Sequence, residues 1–387
     1  MARSLPPDQA MMARYKLHVL FEHGSDQRPF GSAHIRLLRP LSHPDIQPLV
    51  EMTAGLDYQG QPVEAVIVDR LWRPDISPAL AHDLIDRVRA GGARLIYALD
   101  DSFFDLPNEQ KDWQPTDARL ETVRLFLTAA DGVIVTTPGL KQRLADLSAK
   151  IVVLPNALDE RLLPARRGDT TTPAGFGVKL RERVRQRWAK RRLFRPRQVI
   201  GYMGTLTHDD DLLMILPALQ AIGRRFGNQV ELQLVGATRQ AATAQALAAL
   251  PLRVVKHKLK RPRIEYPQFM AWFSSRMNWD VAIAPLRDTP FNRCKSDIKF
   301  LDYCALGVAG IYSRQPAYES SVRHLETGWL AENSPTAWRE ALTELLTNES
   351  LRGRLARQAT DYLFSSRILK ESSPQWRHAL KGLLDNS

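Results

Sequence analysis

The strongest constraint on the fold is an alternation that runs through the chain twice. In the first half, YKLHVLF (15–21), VEAVIVD (63–69), ARLIYALDD (93–101), DGVIVTT (131–137) and KIVVLPNALD (150–159) read as strands. Between them lie a loop entering a helix (GSAHIRLLRPL), then SPALAHDLIDRVRAGG, a helix from about Asp117 to Ala130, and the short KQRLADL. Ser77 caps the second of these, with Pro78 at its first position and glycines at its end. From Gln198 the pattern restarts: QVIGYMGT, VELQLVG, LRVVKH and the run from Asp280 to Pro285 as strands, DLLMILPALQAIGRRFG, AATAQALAAL and a segment near 266–275 as helices. Strands alternating with helices imply parallel, doubly wound α/β sheets. Three helical segments, SPTAWREALTELL, ESLRGRLARQATDYL and SPQWRHALKGLL, finish the chain, and both Ser-Pro pairs read as N-cap plus Pro at the first helical position. At 387 residues the chain suits two domains, not one core.

The stretch from Asn292 to Gly307, NRCKSDIKFLDYCALG, concentrates the chemistry. It follows the strand at 280 through a polar loop, RDTPFNRCKS. Ile298, Leu301, Tyr303, Cys304 and Leu306 then recur at helical spacing, and Gly307 can end the helix. Unpaired N–H groups and the dipole make a helix start an anion site. Ser296 is the candidate N-cap. Lys295 and Lys299, one turn apart, could bring two ammonium groups to one anion, and Asp302 stands where a carboxylate could accept ribose hydroxyls. The set suits a nucleoside diphosphate; the plain alternative is a surface helix with solvated lysines.

This stretch resembles the donor-binding signature of GT-B glycosyltransferases, the family-4-like group with Glu-x7-Glu followed by A-x-x-G. Asp302 stands at the second Glu, which holds the ribose in that family, and Cys294 at the first, which contacts the donor sugar. The K-S-x-x-K-x-x-[DE]-Y pattern is closer still to the polysaccharide and O-antigen branch, as is GYMGTLTHDDDL. DGVIVTTPGLKQRLAD with IVVLPNALD resembles the end of the family's N-terminal domain. The resemblance implies two Rossmann-like domains facing a cleft: an acceptor domain at 1–160, a basic linker at 161–197, a nucleotide-sugar domain at 198–365, and a C-terminal helix within 366–387 crossing back to the first. It implies sugar transfer from a nucleotide sugar to a cell-surface glycan or lipid-linked acceptor, with retention of configuration and no metal or other cofactor.

Other candidates follow from position. Gly201 and Gly204 read as a flexible turn at a strand end, with Thr205 beside them, for donor contact; Arg293 could join the lysines in neutralising phosphates. Asp209, Asp210 and Asp211 precede an apolar helix and read as dipole-favoured acids, a metal site being the lesser reading. His208 reads as a donor-side catalytic residue or a loop histidine. Asp100 and Asp101 end a strand where a carboxylate could bind an acceptor or take its proton, or simply form a local turn. His34, Arg36 and Arg70 occupy comparable loop positions and are candidate acceptor contacts.

Charge is confined. Residues 161–197 hold thirteen Lys/Arg and two acids, which is +11 of the net +12. A nucleic-acid enzyme would spread that field over its working surface, so nucleic acid is an unsuitable partner. Within KLRERVRQRWAKRR (179–192), Leu180, Val184 and Trp188 form an apolar stripe amid basic residues such as Arg181 and Arg185. That is the pattern of a helix lying on an anionic membrane surface, or of one packed on the protein. MARSLPPDQAMMARYK has no apolar core for a secretory signal, no run is long enough to span a bilayer, and Cys294 and Cys304 form no disulfide framework. The expected location is cytoplasmic, peripheral on the inner face of the cytoplasmic membrane. A GT-B sugar-nucleotide epimerase and a non-catalytic GT-B glycan-binding or scaffold subunit are the rival readings.

Overall fold

Val66 and Val68 face one side of a sheet, Ala65 and Ile67 the other, and all four are wholly buried. A strand with no polar face needs cover on both sides, which the fold supplies. The computed structural model describes residues 14–106, 115–148, 150–163, 197–204, 208–236, 238–259 and 265–385. Two compact units emerge: Met1–Ala157 with Cys294–Ser296 and Leu369–Ser387, and Leu158–Arg293 with Asp297–Ile368.

The first unit is built on β1 (Tyr15–Leu20), β2 (Val50–Gly55), β3 (Ala65–Asp69), β4 (Arg94–Leu99), β5 (Gly132–Val135) and β6 (Ile151–Val153). They form one parallel sheet in the order β2-β1-β3-β4-β5-β6. One face packs on α1 (Pro78–Ala90), α2 (Asp117–Ala129) and α3 (Pro138–Leu144) through Leu84, Val88, Phe126 and Leu140. The Ser77 hydroxyl caps α1 by accepting the Leu80 amide at 3.3 Å, as its Ser-Pro start requires. β2 is absent from the sequence reading. It is an edge strand with one buried residue, Val50, so it carries no apolar run.

The second unit holds β7 (Gln198–Gly204), β8 (Val230–Gly236), β9 (Arg253–His257), β10 (Val281–Ala284), β11 (Ala309–Ser313) and β12 (Trp329–Ala331), again all parallel, in the order β12-β11-β10-β7-β8-β9. Its longer helices are α4 (Asp209–Met214), α5 (Leu216–Phe226), α6 (Ala241–Ala248), α7 (Tyr266–Arg276), α8 (Ile298–Leu306), α9 (Pro335–Thr347) and α10 (Glu349–Ser366). The single helix expected after Asp211 divides at Ile215, because Pro217 opens a new first turn. Gly201 is not part of a turn, as the sequence suggested. It lies inside β7, where a Cβ would meet the Trp279 ring at 1.8 Å.

The last helix, α11 (Leu369–Leu384), counts with the first unit and covers the second face of its sheet. Trp376, Ala379, Leu380 and Leu383 pack with Leu17, Val19, Ile67 and Ile96. Gly132 leaves room for this helix, since a Cβ there would stand 2.3 Å from Leu383. Pro374 was expected at the first helical position but lies inside α11. Buried Leu369 starts the helix a turn earlier, and the Ser373 hydroxyl donates to the Leu369 carbonyl at 2.8 Å.

Candidate functional site

Each sheet is started in its middle and extended first one way, then the other. The reversal falls between β1 and β3 in the first unit and between β7 and β10 in the second. Ligands of open parallel sheets bind beyond the carboxyl ends at such points.

In the second unit β7 and β10 pair only at Val281–Ile200 and Ala282–Gly201. Where that ladder stops, the Tyr303 hydroxyl bridges it, donating to Ile283 O at 2.9 Å and accepting from Met203 N at 3.2 Å. This fixes α8 against the reversal point. Gly307 ends α8 in the left-handed region at φ 65°, as expected. The N-cap position belongs to Asp297, not Ser296. Arg367 grips the Asp297 carboxylate through two bonds of 2.7 and 2.8 Å, while Ser296 Oγ accepts from Asn156 at 2.9 Å.

Because the helix starts only at Ile298, Lys295 and Lys299 do not share a helical face. Lys295 counts with the first unit and pairs with Asp101 at 3.3 Å. Lys299 is buried, its ammonium 5.4 Å from the centre of the Tyr202 ring. Asp302 is 4% exposed, and Oδ1 has no hydrogen-bond partner among the described residues. Burial pushes its carboxyl up to about 8, against the pull of Lys299 and with a small push from Asp297. Arg293 is solvent-exposed and bound to Asp288 at 2.6 and 2.8 Å, so it is not gathered with the other cations.

The three acids at 209–211 fill the first turn of α4, where the helix dipole favours them, and their side chains also tie loops together. Asp209 accepts the amides of Arg239 and Gln240 at 3.1 and 3.2 Å. Asp210 pairs with Arg287 at 3.0 Å, and Asp211 accepts the Arg287 amide and His208 Nδ1, each at 2.7 Å. Burial opposes ionisation of Asp211, but His208, Lys299 and the amide together hold its carboxyl below the usual range. Among the described residues no three His, Cys, Asp or Glu side chains converge as metal ligands would. Gly204 ends β7; Thr205 lies outside the described residues, as do Arg181, Arg185 and Trp188.

In the first unit the reversal point carries a charge cluster. Arg70, at a strained φ of 51°, pairs with Glu22 at 2.8 Å, Asp100 at 2.9 Å and Asp101 at 3.3 Å. Arg36 is buried between Asp69 at 3.3 Å and Asp100 at 3.6 Å. Burial works against ionisation of Asp101, yet Lys295 and Arg70 hold its carboxyl low, which suits hydroxyl binding better than proton abstraction. Glu22 was missed in the sequence. Burial, with Asp69 and Asp100 adding to it and Arg70 opposing, pushes its carboxyl up to about 7. The one available signal was an acid directly after an apolar strand, the signal that did single out Asp100. His34 sits half-buried in the helical segment His34–Leu38, its pKa lowered by burial and by Arg39. Cys294 is a packing residue: it joins the first unit's core, and its carbonyl accepts Thr137 Oγ at 2.8 Å.

Residues 197–348 match the family model of the Glycosyl transferases group 1, over the sheet and helices that build the second site. The fold of the chain is GT-B, and residues 197–348 are a Glycosyl transferases group 1 region. No curated protein matches the chain by sequence. Solved structures of like fold include a sucrose-phosphate synthase from Thermosynechococcus elongatus, with a TM-score of 0.58 and 16% identity over 83% of this chain and 74% of that one. A glycosyltransferase from Rickettsia africae gives 0.58 and 13% over 97% and 100%. Anabaena HepE, in complex with UDP and glucose, gives 0.62 and 12% over 95% and 100%. Among the described residues, no helix is long and apolar enough to cross a membrane.

Proposed function

We propose that the enzyme moves a sugar from a nucleoside diphosphate sugar, bound by the second unit, to a hydroxyl of a cell-surface glycan or lipid-linked acceptor, bound by the first. The observation that carries this reading is the unpartnered Asp302 Oδ1 beside Lys299. A buried acceptor left unpaired costs roughly 1–3 kcal/mol, and ribose hydroxyls would supply the missing donors. Lys299 and the polar loops at the reversal point supply positive charge and amides for the departing diphosphate, so catalysis is electrostatic and metal-independent, with retention of configuration. Asp100, Asp101 and Arg70 offer the acceptor acids and a guanidinium that sugar hydroxyls can bridge. The HepE complexes contain UDP, UDP-glucose or UDP with glucose, which makes uridine the first base to try.

Thermal shift against UDP, GDP, ADP and dTDP and their sugars tests the reading. A ligand at 100 times its dissociation constant adds about 2.7 kcal/mol of stability. One nucleotide should raise the melting temperature, and replacing Lys299 by Met should remove that shift. No response to any of the four would overturn the donor assignment. Turnover should persist in EDTA; loss that Mg²⁺ restores would overturn the metal-independent mechanism.

A further inference from the structure

Tyr202 lies in β7 two residues before Gly204, wholly buried, and its hydroxyl has no hydrogen-bond partner among the described residues. Buried hydroxyls are normally paired, so an unpaired one needs a reason. A Cβ on Gly204 would stand 2.6 Å from this oxygen. The phenol therefore reaches along β7 towards its carboxyl end, over backbone that glycine leaves open. That end is the second unit's reversal point. The Lys299 ammonium lies 5.4 Å from the centre of the same ring, and it also acts on Asp302, whose Oδ1 is likewise without a partner among the described residues. Two unpartnered polar atoms thus flank one cation.

Their chemistry differs. The carboxyl oxygen of Asp302 is an acceptor and, once ionised, repels a phosphate, so it suits hydroxyls. The phenol beside an ammonium is a donor and suits an anionic oxygen. We propose that the Tyr202 hydroxyl donates a hydrogen bond to the diphosphate of the sugar donor, next to Lys299; this rests on the donor-site reading above. Burial, with Asp211 and Tyr303 adding to it, pushes the phenol well above its ordinary pKa. It stays protonated, and so a donor, at every working pH. A hydrogen bond to a charged oxygen is about twice as strong as a neutral one, which gives the interaction weight in binding.

The test is Tyr202→Phe in the full chain, by calorimetry with whichever of UDP, GDP, ADP and dTDP the parent binds, and with the matching nucleoside. The variant loses no hydrogen bond to any described residue, so its melting temperature should equal or exceed the parent's. Affinity for the nucleoside diphosphate should fall roughly tenfold or more, and affinity for the nucleoside should not change. Unchanged diphosphate affinity would overturn the proposal and leave the hydroxyl to a buried water. An equal loss for nucleoside and diphosphate would overturn it as well, since the contact would then not be to phosphate. Lys299→Met separates the two readings. If it weakens binding while Tyr202→Phe does not, the proposal fails alone; if the parent binds none of the four, the donor reading fails and takes the proposal with it.

Discussion

Replacing Asp302 by Asn keeps the shape of the side chain and removes its ionisable proton. In the folded protein this carboxyl titrates at about 8 against an ordinary 3.8, chiefly because it is buried. The folded state therefore keeps the proton over a range in which the unfolded chain has already lost it. Stability from this group is intact below about pH 4 and is lost as the pH rises to about 8, at about 1.4 kcal/mol per pH unit. Over the whole range the loss is on the order of 5 kcal/mol. Asparagine has no such dependence. Urea unfolding of both proteins at half-unit pH steps should give a difference that is small near pH 4, grows in the variant's favour and levels off above pH 8. A difference that stays flat would refute the reasoning, because the carboxyl would then be ionised and partnered in the folded protein. The same variant should bind nucleoside diphosphate more weakly. The proton that the parent releases as ribose hydroxyls draw Asp302 into its ionised form should disappear in calorimetry run in two buffers of different ionisation enthalpy.

Arg70→Met strips Glu22, Asp100 and Asp101 of their common cation. Breaking a buried pair costs about 3–5 kcal/mol, and urea unfolding at pH 8 should show a loss of that order, shrinking as the pH falls to about 7, where Glu22 takes up a proton in the parent as well. Gly201→Ala places a methyl 1.8 Å from a Trp279 ring atom; overpacking of this kind costs about 1–3 kcal/mol or more, seen as a lowered melting temperature. For the basic segment, replacing Arg181, Arg183, Arg185 and Arg187 by Gln should abolish salt-sensitive sedimentation with anionic liposomes and leave turnover of a soluble acceptor intact. Sedimentation unchanged by the four substitutions would place the contact elsewhere.

What was legible in the sequence was whatever the chain signals locally. β3 and β4 are continuous apolar runs, α1 opens on Ser77-Pro78, and α8 closes on Gly307. Strands β2 and β12 were not, because one is an exposed edge and the other only three residues long. At the site, Lys299 and Asp302 could be placed because a helical repeat carries them. That Lys295 stands before the helix and not on it could not, since it depends on where α8 begins, and Arg367 settles that from far along the chain by holding Asp297. Glu22 and Tyr202 escaped notice for a related reason. What distinguishes them is burial without adequate partners, a property of the folded surroundings and not of neighbouring residues.

The place of α11 has a consequence for synthesis. Leu17, Val19 and Ile67 leave the ribosome early, but the helix that covers their face of the sheet is translated only after the whole of residues 158–368. At about 5–20 residues per second, the first-made unit waits roughly ten seconds or longer with an apolar face uncovered. The second-made unit has all its own strands and helices before α11 exists, so it can fold first. An apolar sheet face exposed for that long is a natural binding site for chaperones. A nascent chain stalled before residue 369 should be chaperone-bound through its first unit while its second unit already resists protease.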